Sequence, residues 1–118
     1  MRSVLIAVQI CSALLIAKPA NATPYAGAVE ELLEGEELER SIATVMVSSM
    51  AEGIFWANTL NDVRGLPQHY CPPKQLAIID EQYVQIFKTF MEANEEEREN
   101  PLGSVLLLAL RDAFPCTD

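Results

Sequence analysis

Three kinds of side chain in this sequence could do chemistry. They are three cysteines, a single histidine, and a cluster of carboxylates at Glu92, Glu95, Glu96, Glu97 and Glu99. A thiolate activated by a histidine is a nucleophile, paired carboxylates move protons, and Cys/His sets hold zinc. His69 lies two residues from Cys71, which invites the nucleophilic reading. A sulfur tied up in a disulfide is no nucleophile, however, and no second acid–base partner lies near His69 in the sequence. Two distant cysteines and one histidine fall short of a four-ligand metal set. The chain has no nucleophile elbow and no phosphate-cradling glycine loop. The expectation is therefore no catalytic residue, no metal and no cofactor. Recognition remains. The first candidate contact surface is the acidic turn formed by Glu92, Glu95, Glu96, Glu97 and Glu99. The second is the proline-rich loop Leu66 to Tyr70, with Gln68 and His69. The competing reading is that the run EEERE at 95–99 is only a solvated turn.

The whole-chain totals need correcting before they are used. The 118 residues carry 17 acids against 8 bases, a net charge of −9, and half are apolar. That length allows one domain and excludes barrel and two-domain nucleotide enzymes. Such an acidic chain also repels nucleic-acid backbones. Residues 1–22 read as a secretory signal peptide: Met1-Arg2-Ser3, an uncharged apolar run from Val4 to Ala17, then Ala20-Asn21-Ala22. The run is 14 residues long, against roughly 20 for a membrane span. A short membrane anchor is the alternative. No small-residue lipid-attachment pattern precedes Cys11. Cleavage after Ala22 removes Arg2 and Lys18 and no acid, leaving 96 residues with a net charge of −11, of which 44 are apolar. That is an ordinary soluble domain, residues 23–118, small enough to need a cross-link.

Cys11 leaves with the signal, so Cys71 and Cys116 remain as an even pair in an exported chain, and one disulfide follows. It closes a loop of about 45 residues, worth up to ~4 kcal/mol on chain entropy.

The elements that must position these groups are helical. Thr23 to Gly27 reads as a flexible start. Val29 to Arg40 is either a short helix interrupted at Gly35 or a frayed acidic arm. Ser41 to Val63 carries the strongest helical signal. One stripe is Ile42, Val45, Met46, Ser49, Gly53, Trp56, Ala57 and Leu60; a second is Val47, Met50 and Ile54. A helix apolar on most sides should be central and covered. Trp56 is assigned to the core, and Gly53 suggests a close helix crossing. Arg64 to Pro73 is a loop, broken by Gly65 and three prolines. Gln75 to Asn94 is the next helix, with Leu76, Ile79, Tyr83, Ile86, Phe87 and Phe90 on one face. Asn100 as N-cap and Pro101 at the first helical position open the last helix, Leu102 to about Ala113. No segment alternates with period two, so the expected fold is an all-α bundle of three to four helices pinned by one disulfide. Cys71 precedes the third helix and Cys116 follows the fourth, so the two must run antiparallel. The disulfide then marks one pole and the acidic turn the other.

The order of these motifs resembles a known family. Gly53-Ile54 with Ala57-Asn58 lies in an apolar helix. There follow Tyr70-Cys71-Pro72-Pro73, an amphipathic helix, Asn100-Pro101, and a helix closing on Ala113-Phe114-Pro115-Cys116. This resembles, over about residues 35–116, the Rap/Tai family of periplasmic immunity proteins against type VI secretion amidase effectors. Many relatives carry a second cysteine pair, and Ala51 stands near the place of one of those cysteines. The resemblance implies a small helical periplasmic protein, often a homodimer. It implies as partner a cognate cell-wall amidase toxin, whose active site the protein blocks. The alternative is a general periplasmic helical binding or chaperone-like protein with no dedicated toxin partner. Neither reading is enzymatic, and neither needs nucleic acid or, after signal cleavage, a membrane.

Overall fold

The computed structural model describes residues 24–117. It consists of α1 (Ala26–Leu33), α2 (Glu37–Val63), α3 (Asp80–Ala93), a 3-10 turn (Glu95–Glu99) and α4 (Leu102–Ala113). No strand occurs among the described residues, as the all-α reading requires. None of the helices among them is long and apolar enough to cross a membrane. The expected signal peptide, 1–22, lies outside the described residues.

The first acidic segment resolves into two helices rather than an arm. Its Gly35 junction is set locally: Gly35 N–H bonds to Leu32 C=O at 3.1 Å. Glu39 then reaches back to the Glu36 N–H at 2.8 Å, the return half of a capping box that starts α2. A side chain at position 35 would collide with the Glu39 carboxylate. Residues 37–40 thus belong to the long central helix, which ends at Val63 and is followed by Gly65, the only described residue at positive φ (69°).

The segment expected to be a flexible start is pinned from Pro24 onward. Ala26 N–H bonds to Asn100 C=O and Leu102 N–H bonds to Pro24 C=O, both at 2.9 Å. This antiparallel bridge between Tyr25 and Pro101 lashes the start of α1 to the start of α4. It also alters the expected cap. Pro101 takes the N-cap position with ψ 141°, and Leu102 is the first helical residue. Asn100 instead gives its carbonyl to Ala26 and its side-chain amide to Glu97 at 2.6 Å.

Packing on α2 reverses the expected roles of its two apolar stripes. Ala43, Val47, Ala51 and Asn58 face inward, and Met50 and Ile54 pack at the edge of the core. Trp56 is 57% exposed rather than buried. Gly53 faces open space with nothing near a would-be Cβ, so it makes no intramolecular crossing. The chain packs only one side of α2, so the second rich stripe is left outside. The core comprises the inward residues of α2 with Val29, Tyr70, Tyr83, Phe87, Met91, Leu102, Val105, Leu106 and Leu110.

Helix α3 begins at Asp80, five residues later than expected. Ile79 N–H is capped by the Gln82 Oε1 at 3.0 Å, and Asp80 and Glu81 suit the positive end of the helix. Leu76 and Ile79 therefore lie before the helix and are exposed, while Tyr83, Phe87 and Phe90 form its buried face as expected. The stretch before α3 is held elsewhere. Asn58, 2% exposed, donates from Nδ2 to Tyr70 C=O at 2.8 Å. Its Oδ1 accepts from His69 N–H at 2.7 Å. The Cys71–Cys116 disulfide forms across a separation of 45 residues, flanked by a Cys71 N–H to Phe114 C=O bond of 2.8 Å.

Two measurements check this frame. Replacing both Cys71 and Cys116 by Ala frees the closed loop and should lower unfolding stability by about 2–4 kcal/mol in denaturant titration. Burial also pushes the Tyr70 hydroxyl up to about 12. The unfolded chain ionises this group near 10, so stability is full below pH 10 and is lost as pH rises towards 12. The expected loss is on the order of 2 kcal/mol, read by comparing wild type with Tyr70→Phe across that range.

Candidate functional site

The acidic turn is a 3-10 bend because it must reverse the chain between α3 and α4 within a few residues. Asn94 opens it, donating from Nδ2 to Phe90 C=O at 2.8 Å, and Asn100 closes it through its bond to Glu97. Arg98 divides the glutamates into two groups. Its guanidinium turns back across α1, pairing with Glu30. It also pairs with Glu31 at 3.0 Å and reaches Gly27 C=O at 3.4 Å. The one cation of the run is thus consumed by the fold. Glu92, Glu95, Glu96 and Glu99 are exposed and make no ion pair among the described residues. Glu97 is half-buried and serves the turn itself.

A second ion pair keeps this end rigid. Lys88 of α3 meets Glu34 at 2.8 Å. The bond holds the Glu34 carboxyl below its ordinary value and the Lys88 ammonium above its own. Both are surface groups, so the pair contributes little to stability by itself. Its effect is to fix α3 against the α1–α2 junction.

Gln68 and His69 stand at the opposite end of the α3–α4 hairpin. His69 is exposed at its side chain and held by its backbone N–H to Asn58. Gln68 is half-buried beside the disulfide, with Oε1 3.7 Å from Cys71 Sγ. These two residues line a mostly polar depression of about 450 Å³ with Leu108, Arg111, Asp112 and Cys116. The two candidate surfaces are separated by the length of α4, roughly 18 Å for 12 residues. They are separate patches rather than one site. A second concavity, of about 280 Å³, lies between α3 and α4 with Ile86, Phe90 and Ala109 in its walls and Asn94 at the acidic end.

The unpaired carboxylates sit exposed on the turn between α3 and α4. What they offer is a concentrated negative surface on a fixed support. Sequence reasoning missed two participants, Arg98 and the exposed stripe of α2. Arg98 had a signal, since a lone cation inside an acidic run tends to have a partner in the fold.

Arg98→Ala should remove both ion pairs and the Gly27 bond together. The half-exposed position limits the loss to about 1–2 kcal/mol. Chemical denaturation should show it, with far-ultraviolet dichroism retained.

The comparisons with known proteins agree with this geometry. A family model described as Rap1a immunity proteins matches residues 25–116. No curated protein and no solved structure matches the chain. The matched span begins at the bridge that ties α1 to α4 and ends at the disulfide, so it takes in every helix described above. The chain belongs to the family of Rap1a immunity proteins.

Proposed function

We propose that this protein is exported to the periplasm and there binds and blocks a peptidoglycan amidase delivered by type VI secretion. Family membership supports immunity against such effectors. The observation that carries the binding mode is the acidic turn, in which four unpaired carboxylates are presented on a hairpin locked by Arg98, Lys88 and the disulfide. A pre-organised surface loses little entropy on docking. An excess of negative charge speeds the capture of a basic partner. The N-terminal segment 1–22 has the organisation of a signal peptide, which supports periplasmic localisation. Inhibition by occlusion needs no catalytic group, so the protein acts as a ligand of the enzyme and not as an enzyme. A homodimer forms part of this reading.

A second reading is a general binding or chaperone-like role. The exposed apolar residues of α2 favour it, since such surface can hold partially folded clients. Acid-induced dye binding between about pH 7 and 3 would support that role.

The direct test co-expresses the chain with an exported amidase encoded beside it. Growth should be rescued, and the purified pair should bind. Glu95→Lys with Glu96→Lys should weaken binding at least tenfold, mainly through slower association at low salt. Gln68→Ala with His69→Ala should have a smaller effect. If the second pair dominates, the contact surface lies at the disulfide pole. If the chain neither binds nor protects, the immunity reading against amidases is wrong.

A further inference from the structure

The depression at the disulfide pole, about 450 Å³ in volume, carries both signs of charge on one wall. Leu108, Arg111 and Asp112 stand at positions i, i+3 and i+4, so they share one face of the last turns of α4. Arg111 and Asp112 are exposed and adjacent in the chain. They form no ion pair with each other or with any other described residue. Lys88 and Arg98, by contrast, are both taken up by glutamates. A cation and an anion thus stand together at the depression with neither neutralised.

The facing wall comes from the loop before α3. His69 is exposed at its side chain and fixed by its backbone, whose N–H bonds to the buried Asn58 at 2.7 Å. Gln68 turns its Oε1 towards Cys71 Sγ, 3.7 Å away, an orientation that leaves its amide N–H groups to donate. The Cys71–Cys116 disulfide and the Cys71 N–H bond to Phe114 C=O hold the two walls together. The volume falls within the roughly 300–1,000 Å³ of small-molecule sites.

We propose that this depression binds the zwitterionic end of an amino acid. The ligand carboxylate accepts from the Arg111 guanidinium, whose planar fork holds two oxygens at once. Gln68 and His69 are further donors from the facing wall. The ligand ammonium donates to the Asp112 carboxylate, beside the negative end of α4. Charge selects this class over simpler ones. A plain anion drawn to Arg111 meets the adjacent Asp112, and a plain amine drawn to Asp112 meets Arg111. A ligand with both charges on one carbon satisfies the pair. Leu108 and Pro115 give the depression an apolar part for the ligand's side chain. The site lies a helix length from the acidic turn, so the inference does not rest on the immunity reading.

Two-dimensional amide NMR of the oxidised chain, titrated with leucine, tests it. Shifts should be confined to residues 68–69 and 108–116 and should saturate with a dissociation constant of about 1 mM, as for a small ligand with few contacts. N-acetyl-leucine and leucinamide each lack one charge and should bind at least tenfold more weakly. Arg111→Gln and Asp112→Asn, both at exposed positions, should each weaken leucine binding at least fivefold and leave the rest of the spectrum unchanged. Nε-acetyl-lysine keeps both charges on its α-carbon while its side chain is joined to another group. Tighter binding than leucine's assigns the site to an amino acid linked through its side chain, and weaker binding assigns it to a free one. No saturating shift at tens of millimolar leucine overturns the proposal. Equal binding of N-acetyl-leucine or leucinamide does so too, as does leucine binding indifferent to both variants. Shifts centred on Ile86 and Ala109 would put the ligand between α3 and α4 and would equally overturn it.

Discussion

The structure depends on how a 16-residue stretch without helix, residues 64–79, is held against the core. A single buried amide does most of this. Asn58 satisfies the backbone of His69 and Tyr70 from near the C-terminal end of α2, and the Tyr70 ring fills the core beneath. Those bonds replace water for backbone groups that would otherwise be buried unpaired. One residue later Cys71 is tied to Cys116. The two attachments fix both ends of the α3–α4 hairpin relative to α2. The far end of the hairpin is held separately, by Lys88 on Glu34, Arg98 on α1 and the bridge between Tyr25 and Pro101.

The charge distribution follows the same economy. Three of the cations are drawn into contacts within the fold: Lys88 with Glu34, Arg98 with Glu30 and Glu31, and, locally, Arg40 with the Gly35 carbonyl. Each joins two elements or closes a junction. The surplus acids are left on the surface, densest at the turn after α3. A small acidic protein can therefore keep a strong field, because few cations pair its acids and the unpaired excess faces solvent.

Much of this was legible in the sequence. The apolar run from Val105 to Leu110, closed by Pro115, identifies α4, and two cysteines flanking the α3–α4 unit require an antiparallel pair. The rest failed for identifiable reasons. In α2 two apolar stripes compete, and periodicity cannot say which one meets the chain's own core; Trp56 and Gly53 were assigned inward on that ambiguity. The start of α3 depends on Gln82 capping Ile79, a contact available to several registers. Pro24 to Ala26 looks unstructured because its partner, Asn100 to Leu102, is more than seventy residues away. The candidate site divides in the same way. The acidic turn is visible as a run of letters, but the capture of Arg98 by α1, which leaves the run unneutralised, is a tertiary fact.

The function proposed for this pinned helical frame is to block an enzyme's active site. The most direct measurement is hydrolysis of purified peptidoglycan by a candidate type VI amidase effector from the same source, titrated with the oxidised protein. The account predicts that hydrolysis falls linearly and stops when the protein equals the enzyme in molar amount. Undiminished hydrolysis at a large molar excess, with the protein folded and its disulfide intact, would contradict it.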